Sequence, residues 1–335
     1  MKHLKIQRIK FKPLLIIYSS CLLATACTTS LKDTESANAF IEKMVTIHQF
    51  DKSELEHWFD AVEKKDDILE KIAKPAEGMP WYQYRKIFLT PERIEGGLKF
   101  WRNNALALAD AEQRYGVPAE IIVAILGVET SYGKHTGKYR VIDALSTLAF
   151  TYPPRSPFFT AELENFLLLC REEQMNPLEP TGSYAGAMGM PQFMPSSFRN
   201  YATDFDHDGR RDIWRNNSDV IGSVARYFAE FHWQKGQAIA VPAQAVGTQY
   251  KAALTDNLKP DLRLASLQLL SLKISAPLPL DTKVKILELK QEDGDEVWAV
   301  LDNFYCLTRY NHSPLYAMAV FQLSQTLLNK KGAFP

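Results

Sequence analysis

The strongest constraint on the fold is an apolar run that ends in an acid. Residues 121–128 contain no polar side chain, and Glu129 follows them directly. Pro118 precedes the run and Gly133 follows it, as is typical of the start and the end of a helix. At helical spacing, the stripe that holds this acid also contains Ile122, Ile125 and Leu126. The sequence therefore predicts a buried helix with a carboxyl group on an apolar face.

Burial would give this carboxyl group a particular chemistry. An apolar environment disfavours the charged form and so raises the pKa. A carboxyl group that stays protonated near neutral pH is the general acid required for cleavage of a glycosidic bond. The helix alone leaves two alternatives open: Glu129 turns to solvent, or it pairs with a lysine or an arginine.

Length and charge limit the class of protein. The chain has 335 residues, which is enough for a large core or for two to three subdomains. Its 39 lysines and arginines balance its 39 aspartates and glutamates. Because a basic excess is missing, the composition argues against an obligate nucleic-acid partner.

Apolar periodicity predicts a mainly α (α+β) fold with a small β part. Helices are expected over residues 37–48, 53–62, 90–115, 121–132, 141–150, 158–174, 218–231 and 314–329. An ordered loop is expected from Pro75 to Tyr84, where proline, glycine and aromatic residues cluster. Two strand-like segments, 284–289 and 296–301, predict a β-hairpin within residues 282–305.

The N-terminus has the pattern of a secretion signal. Five basic residues lead into an apolar stretch over 14–26, which is too short to span a bilayer comfortably. Small residues before Cys27 resemble a bacterial lipobox, which predicts a signal peptide over 1–26, lipid attachment at Cys27 and a tether over 27–36. Since no aspartate follows this cysteine, bacterial sorting favours the outer membrane. A signal peptide cut near Ala26 and an uncleaved anchor are the alternatives.

Two cysteines remain beyond the leader and the predicted lipid site. Cys170 and Cys306 are far apart in sequence. They either pair in an oxidising compartment or stay as buried free thiols, and the sequence does not decide between these outcomes.

A second motif is the glycine-rich segment 182–195, which also carries aromatic residues. Together with the segment 129–133, it resembles the lysozyme-like lytic transglycosylases, and most closely the membrane-bound lytic murein transglycosylase B family. Further matches are residues 84–88, 222–225, 308–313 and 316–319. The resemblance extends from about Phe40 to the C-terminus, and several ordered motifs are more specific than any single one.

The resemblance implies a fold, an activity and a location. The implied fold is a lysozyme-like helical catalytic core with an additional helical subdomain and a small β part, over 37–335. The implied activity is cleavage of the bond between N-acetylmuramic acid and N-acetylglucosamine in peptidoglycan, with an anhydro sugar as product. The implied location is the periplasm, with a lipid anchor in the outer membrane. Peptidoglycan glycan strands are the expected partners, and peptidoglycan synthases are left open as further ones.

The family motif places the general acid and base at Glu129. Carried over by position, the saccharide-binding residues are Tyr84, Ser183, Gln192, Phe193, Asn311 and Tyr316. Neither the glycine-rich motif nor the segment 310–316 supplies a second carboxylate. The sugar's own N-acetyl oxygen is therefore expected to stabilise the developing charge, as in substrate-assisted glycosidases. Tyr316 and Asn311 would hold the acetamido group.

Each predicted binding residue has a purely structural alternative. The alternatives are capping of the next turn by Ser183, local backbone bonding by Gln192, core positions for Tyr84 and Tyr316, and a turn position for Asn311. For the function, the alternatives are a hydrolytic muramidase on the same scaffold and a non-catalytic peptidoglycan-binding scaffold.

The acidic segment 204–219 resembles a calcium-binding EF-hand loop. Its acidic residues occupy positions one, three and five, and a glycine occupies position six. Position twelve is Arg215 instead of the usual glutamate, and the related family closes its longer loop with a later aspartate. The predicted calcium ligands are Asp204, Asp206, Asp208, Arg210 (through its carbonyl oxygen) and Asp219. A surface turn with no ion is the alternative.

Overall fold

The computed structural model describes residues 31–73, 78–274 and 276–332. The predicted signal peptide and the predicted lipid site at Cys27 lie outside the described residues. Within those three ranges, no helix combines the length and the apolar character needed to cross a membrane.

Helices make up most of the described chain, so the prediction of a mainly helical fold with a small β part is confirmed. The helices, α1 to α13 in order, are Glu35–His48, Lys52–Asp60, Asp66–Ile72, Trp81–Phe88, Pro91–Asn103, Ala105–Tyr115, Ala119–Thr130, Val141–Thr151, Ser156–Glu172, Pro195–Tyr201, Asn217–Glu230, Asp302–Tyr310 and Pro314–Gly332. The strands, β1 to β7, are Tyr139–Arg140, Thr181–Gly182, Ala240–Ala245, Leu262–Arg263, Leu272–Ile274, Lys283–Gln291 and Gly294–Val300.

Helix α7 lies at the centre of the helical core. Apart from Glu120 and Glu129, its residues are buried. It packs against α5, α6, α11 and α13. An apolar helix of this kind is stable only when it is covered on all sides, and these four helices supply that cover.

The predicted helix over 90–115 is wrong in one respect. It begins at the expected place, where Thr90 caps the helix by accepting a hydrogen bond from the Arg93 N–H. It ends beside Gly116, whose φ of 73° suits glycine. Between these points the chain breaks at Asn104, whose side-chain amide donates to the Phe100 carbonyl at 2.8 Å. This local bond competes with the helix, so two helices, α5 and α6, form instead of one.

The predicted loop over 75–84 is also partly wrong. Helix α4 begins at Trp81, directly after Pro80. Trp81 is buried, and α4 packs against α13 and β6. Burial of this aromatic residue favours a helix where composition alone indicated a loop.

The small β part is a five-stranded antiparallel sheet in the order β4-β6-β7-β3-β5. Strands β6 and β7 form the predicted hairpin, with Gln291 opposite Gly294 at its turn. One face of the sheet joins the helical core through residues such as Leu289 and Val300. The other face covers a second apolar cluster that includes Val297 and Tyr250.

The two cysteines are free thiols in this structure. Cys170 and Cys306 are both buried. Burial raises the pKa of both thiols, and the pKa of Cys306 reaches about 12.

Candidate active site

The last turn of α7 carries Glu129. Pro118 occupies the N-cap position of this helix, and Ser131 ends it with a left-handed backbone. The Glu129 side chain is half-buried, while its neighbours Val128 and Thr130 are buried. The carboxyl group therefore lies at the boundary between the apolar core and the surface.

A tyrosine from the first turn of α13 binds this carboxyl group. The Tyr316 hydroxyl donates to Glu129 Oε1 at 2.5 Å, and its ring is buried. Burial raises the pKa of Glu129 to about 7, and the hydrogen bond from Tyr316 acts in the opposite direction. Burial, followed by the nearby charge of Glu129, raises the pKa of Tyr316 well above its usual value. Tyr316 thus stays a neutral donor while Glu129 titrates near neutral pH.

Two further tyrosines lie within electrostatic reach of Glu129. Burial is the main cause of the raised pKa of Tyr84 and of Tyr310, and the charge of Glu129 is the second cause for both. The Tyr310 hydroxyl donates to the Pro191 carbonyl at 2.5 Å, which ties α12 to the glycine-rich segment. Within the described ranges, no aspartate or glutamate contributes to the pKa shift of Glu129. The site therefore combines one acid with three tyrosines.

The chain turns sharply after Glu129. Ser131, Tyr132 and Gly133 have φ values of 50°, 62° and 86°, a left-handed run that is rare outside glycine. The Thr130 hydroxyl donates to the Met190 carbonyl at 2.9 Å and accepts from the Gly133 N–H at 2.9 Å. These bonds connect the end of α7 to the glycine-rich segment.

A side chain from this turn locks α7 to α5. The Tyr132 hydroxyl donates to the Arg93 carbonyl at 2.9 Å. The same arginine donates from Nη2 to Ser131 Oγ at 3.1 Å. A Cβ atom at Gly97 or at Gly127 would lie 2.5 Å from the Tyr132 hydroxyl oxygen. The glycines therefore form the slot that Tyr132 fills, because only glycine leaves room for it.

Ser183 and Gln192 lie in the glycine-rich segment, and both make local bonds. Ser183 Oγ accepts from the Ala187 N–H at 3.1 Å, which is the turn-capping alternative. Gln192 Nε2 donates to the carbonyls of Thr136 and Gly189. Both side chains are half-buried, and the hydroxyl proton of Ser183 and the amide oxygen of Gln192 have no hydrogen-bond partner among the described residues.

The structure places Phe193, predicted to bind saccharide, inside the core beneath the glycine-rich segment. Its side chain is 2% exposed and packs between the rings of Tyr227 and Tyr310. Phe193 therefore supports the site from beneath, since an apolar ring in this segment is most stable inside the core. Asn311, in contrast, is exposed in the turn between α12 and α13.

Four carboxylates converge where the loop between α10 and α11 meets the first turn of α11. One oxygen each from Asp204, Asp206, Asp208 and Asp219 lies within 4.8 Å of the others. Asp219 is fully buried and accepts the N–H groups of Phe205 and Asp212 at 2.7 and 2.8 Å. Burial is the main cause of its raised pKa.

The chemistry of this cluster fits a divalent cation with hard oxygen ligands. No lysine or arginine among the described residues forms a salt bridge with any of the four carboxylates. A buried negative charge next to other negative charges is costly without a cation. Arg210 lies in the same loop, and its N–H donates to Asp208 Oδ1 at 2.9 Å.

Comparison with known proteins agrees with this geometry. The family model of the transglycosylase SLT domain matches residues 32–325. The membrane-bound lytic murein transglycosylase B of Escherichia coli is 43% identical over 304 residues, which cover 87% of this chain and 82% of that protein. The chain belongs to the transglycosylase SLT domain family.

Two solved structures of this family show the same fold. The soluble lytic transglycosylase SltB1 of Pseudomonas aeruginosa has a TM-score of 0.84 and 47% identity, and the match covers 88% of this chain and 98% of that one. The Escherichia coli lytic transglycosylase Slt35, solved in complex with calcium, has a TM-score of 0.83 and 42% identity, with coverage of 89% and 94%. The predicted family and the lysozyme-like fold class are therefore confirmed.

Three residues of this transglycosylase-domain site were not predicted from the sequence. Tyr310, Tyr132 and Arg93 hold the segments around Glu129 together, but each acts on a group that is distant in sequence. One signal was available for Tyr132. The small residues Gly97 and Gly127 on two predicted helices indicate a close approach that an aromatic ring can fill.

Proposed function

We propose that this protein is a lytic transglycosylase that cleaves the bond between N-acetylmuramic acid and N-acetylglucosamine in peptidoglycan. The observation that carries the proposal is the isolated Glu129 carboxyl group, with a pKa of about 7 and a single tyrosine partner. A carboxyl group with this pKa is protonated in a useful fraction of molecules near neutral pH, and its conjugate base is also accessible. One group can therefore act as acid and then as base.

In the first step, Glu129 donates its proton to the glycosidic oxygen as the bond from that oxygen to the anomeric carbon breaks. The N-acetyl oxygen of the muramic acid attacks the anomeric carbon and takes up the positive charge. This substrate assistance replaces the second carboxylate of standard glycosidases. The absence of another acid near Glu129 among the described residues supports this route.

In the second step, the Glu129 carboxylate takes the proton of the muramyl 6-hydroxyl. That oxygen bonds to the anomeric carbon, and the bond to the N-acetyl oxygen breaks. The product is a 1,6-anhydro sugar, Glu129 is protonated again, and no water is consumed. Glu129 therefore transfers a proton twice in one turnover, first as an acid and then as a base.

The neighbouring residues have proposed roles that follow from their contacts with Glu129, their exposure or their free polar groups. Tyr316 orients the Glu129 carboxyl group and, with Asn311, holds the acetamido group. The free hydroxyl proton of Ser183 and the free amide oxygen of Gln192 bind sugar groups in the groove, and Tyr84 forms part of its wall. Phe193 has a supporting role only, since it is buried.

The test is product analysis on purified sacculi. We expect muropeptides with anhydro ends, whereas reducing ends heavier by one water would establish a hydrolytic muramidase instead. Glu129→Gln should lower turnover by about a hundredfold to ten-thousandfold, because the proton donor is lost. Glu120→Gln is the matched control on the same helix and should keep full turnover. Binding of sacculi that persists without turnover in the first variant separates catalysis from a scaffold role.

We also propose a structural calcium ion in the acidic loop. The proposed ligands are the four converging carboxylates and the carbonyl oxygen of Arg210, and the calcium complex of the related Slt35 supports this. The ion would neutralise the cluster and fix the loop. At a hundredfold excess over its dissociation constant, calcium should add about 2.7 kcal/mol to the free energy of unfolding.

Thermal unfolding in calcium and in chelator tests this ion. Asp219→Asn should abolish the calcium effect on the melting temperature, while Asp256→Asn, an exposed aspartate outside the loop, should preserve it. Identical melting curves of the wild-type protein in calcium and in chelator would contradict the proposed calcium ion.

The proposed location is the periplasmic face of the outer membrane. The related Escherichia coli protein is named as membrane-bound, which supports an envelope location. Lipid attachment at Cys27 would supply the anchor. Metabolic labelling with a fatty acid should mark the wild-type protein and not Cys27→Ala, and equal release of both from membranes by a salt wash would contradict the anchor.

A further inference from the structure

A cavity opens in the five-stranded sheet. It has a volume of about 580 Å³ and is lined by residues between 242 and 251 and by residues 295–298. None of these residues belongs to the Glu129 site. The volume is in the range of pockets that bind small ligands.

The cavity exists because two neighbouring strands separate. Strands β3 and β7 pair from Ala240 opposite Val300 to Ala243 opposite Val297, and the pairing stops there. Strand β3 continues to Ala245 by pairing with β5, and β7 continues to Gly294 by pairing with β6. Beyond the last shared pair, the two strands therefore face each other across an open cleft.

Both sides of the cleft carry backbone groups without a strand partner. The Val246 N–H donates to the Ser271 carbonyl on the β5 side, so the adjacent Ala245 directs its N–H and C=O toward β7. On the other side, the Leu301 N–H donates to the Ile239 carbonyl across the β3–β7 pair, so by the same alternation Asp295 directs its N–H and C=O toward β3. An extended peptide can bond to edges of this kind, as in strand addition to a sheet.

The side chains at the cleft favour a ligand with a positive group. Asp295 is exposed and forms no salt bridge with any described residue, although Lys290 lies opposite it in the hairpin register. Lys251, the cation in the cleft wall, is already 3.4 Å from the Glu288 carboxylate. The carboxylate of Asp295 is thus available to an amine of the ligand.

The aromatic residues of the cleft argue against a sugar as the ligand. Tyr250 is 6% exposed, and its hydroxyl donates to Glu288 at 2.5 Å. The Trp298 N–H donates to its neighbour Glu296 at 3.2 Å, and its ring packs against Phe321. Tyr250 offers no open ring face for stacking, and the polar ends of both rings are occupied.

We propose that this cleft binds a short extended peptide that carries an amine. The peptide adds its backbone between β3 and β7, and its amine pairs with Asp295. The proposal rests on the proposed function for the source of the ligand, because the peptides that cross-link peptidoglycan provide both an extended backbone and amines. Peptide binding at the sheet would hold the polymer while Glu129 acts on the glycan.

The test uses the full chain with Glu129→Gln, so that no turnover occurs. The probe is the free stem peptide released from sacculi by an amidase, and the readout is the shift of backbone amide resonances. We expect saturable shifts at Ala245 and Asp295. Ala245→Pro, which removes an N–H that has no strand partner, should abolish binding. Asp295→Asn should weaken it about fivefold, the scale of an exposed ion pair.

The matched control is Asp293→Asn, an exposed aspartate in the hairpin turn outside the cleft, which should bind the peptide as tightly as the parent protein. Equal affinities of the Asp295→Asn and Asp293→Asn variants, or shifts confined to the surroundings of Glu129, would overturn the proposal. So would a peptide-free N-acetylglucosamine oligomer that shifts the cleft resonances while the peptide does not. Product analysis with the wild-type enzyme is independent of these outcomes, so failure of the cleft and failure of the transglycosylase proposal are distinguishable.

Discussion

The helical core and the five-stranded sheet each enclose an ionisable side chain, but they treat its charge differently. In the core, Glu129 has a tyrosine as its hydrogen-bond partner and no salt bridge among the described residues. In the sheet, Lys285 is 4% exposed, bonds to Thr255 and lies 3.7 Å from the Asp261 carboxylate. The Glu129 carboxyl group, without a counterion, has a raised pKa and can exchange a proton near neutral pH, whereas the buried Lys285 side chain has a carboxylate nearby.

This difference predicts that the helical core, and not the sheet, contains a group that lowers the free energy of unfolding when it ionises. Keeping an acid away from cations costs free energy once that acid ionises, whereas a lysine next to a carboxylate avoids this cost. Substitutions at Glu129, Gly127, Tyr316 and Lys285 test this contrast.

The largest effect is the pH dependence of stability caused by Glu129. Its pKa is about 7 in the folded protein and 4.5 in the unfolded chain, so its contribution to stability is full below pH 4.5 and is lost as the pH rises through 7. This difference amounts to roughly 3 kcal/mol. Glu129→Gln should therefore become more stable than wild type at pH 8, by up to about 3 kcal/mol relative to the comparison at pH 4.

Urea unfolding at pH 4 and pH 8 measures this difference. Glu54→Gln, an exposed glutamate on α2, is the control and should follow the wild-type pH dependence. If Glu129→Gln also followed it, the carboxyl group would not be isolated, and the contrast with Lys285 would fail.

The next effect concerns the slot that positions the turn after Glu129. Gly127→Ala would place a Cβ atom 2.5 Å from the Tyr132 hydroxyl oxygen. Overpacking typically costs about 1–3 kcal/mol, and the better helix propensity of alanine returns about 1 kcal/mol. We expect a net loss of up to about 2 kcal/mol in the free energy of unfolding, and a fall in kcat that is larger than any change in KM.

Gly332→Ala, at a helix position with no atom within 4 Å of the added Cβ, is the control for the propensity gain and should not lose stability. If Gly127→Ala caused no loss of stability, the side chains around Glu129 would be packed no more tightly than those of the sheet.

The third effect is a shift of the pH–rate profile. The hydrogen bond from Tyr316 lowers the pKa of Glu129, so Tyr316→Phe should raise that pKa above about 7. Because the reaction needs the protonated acid, the fall of kcat/KM at basic pH should begin at a higher pH in this variant than in wild type. The maximum of kcat/KM should drop about tenfold, because one hydrogen bond that orients the acid is lost. Tyr305→Phe on α12 is the control and should keep the wild-type profile. If the basic limb of the Tyr316→Phe profile did not move, the hydrogen bond from Tyr316 would not contribute to the pKa of Glu129.

The two regions also differ in how far sequence predicts them. Helix α7 follows from its apolar run, and the β6–β7 hairpin follows from alternating residues around a turn. Strand β3 was missed because Ala240–Ala245 contains alanines and Pro242, which are weak strand formers. Its pairing with β7 and β5 is a tertiary effect that no local pattern contains.

The candidate site shows the same limit. Glu129 is identified by its own surroundings in the chain, but its pKa is set by burial in the folded protein and by the hydrogen bond from Tyr316 on α13. Phe193 was placed in the groove by motif position, and only packing shows it to be buried. Residue type and spacing therefore locate the acid, while its environment depends on contacts between distant segments.

The smallest effect tests the sheet itself. Lys285→Met keeps the length of the side chain and removes the charge, and Asp261, which is 45% exposed, stays solvated. Replacing a buried ion pair by an apolar residue is often neutral or stabilising, so we expect a change of less than about 1 kcal/mol in urea unfolding. Asp261→Asn should cost more, because it leaves the buried ammonium group without its carboxylate. If Lys285→Met were instead the more damaging of the two, the lysine would be needed as a charge, and the sheet, like the core, would contain an ionisable group kept for more than packing.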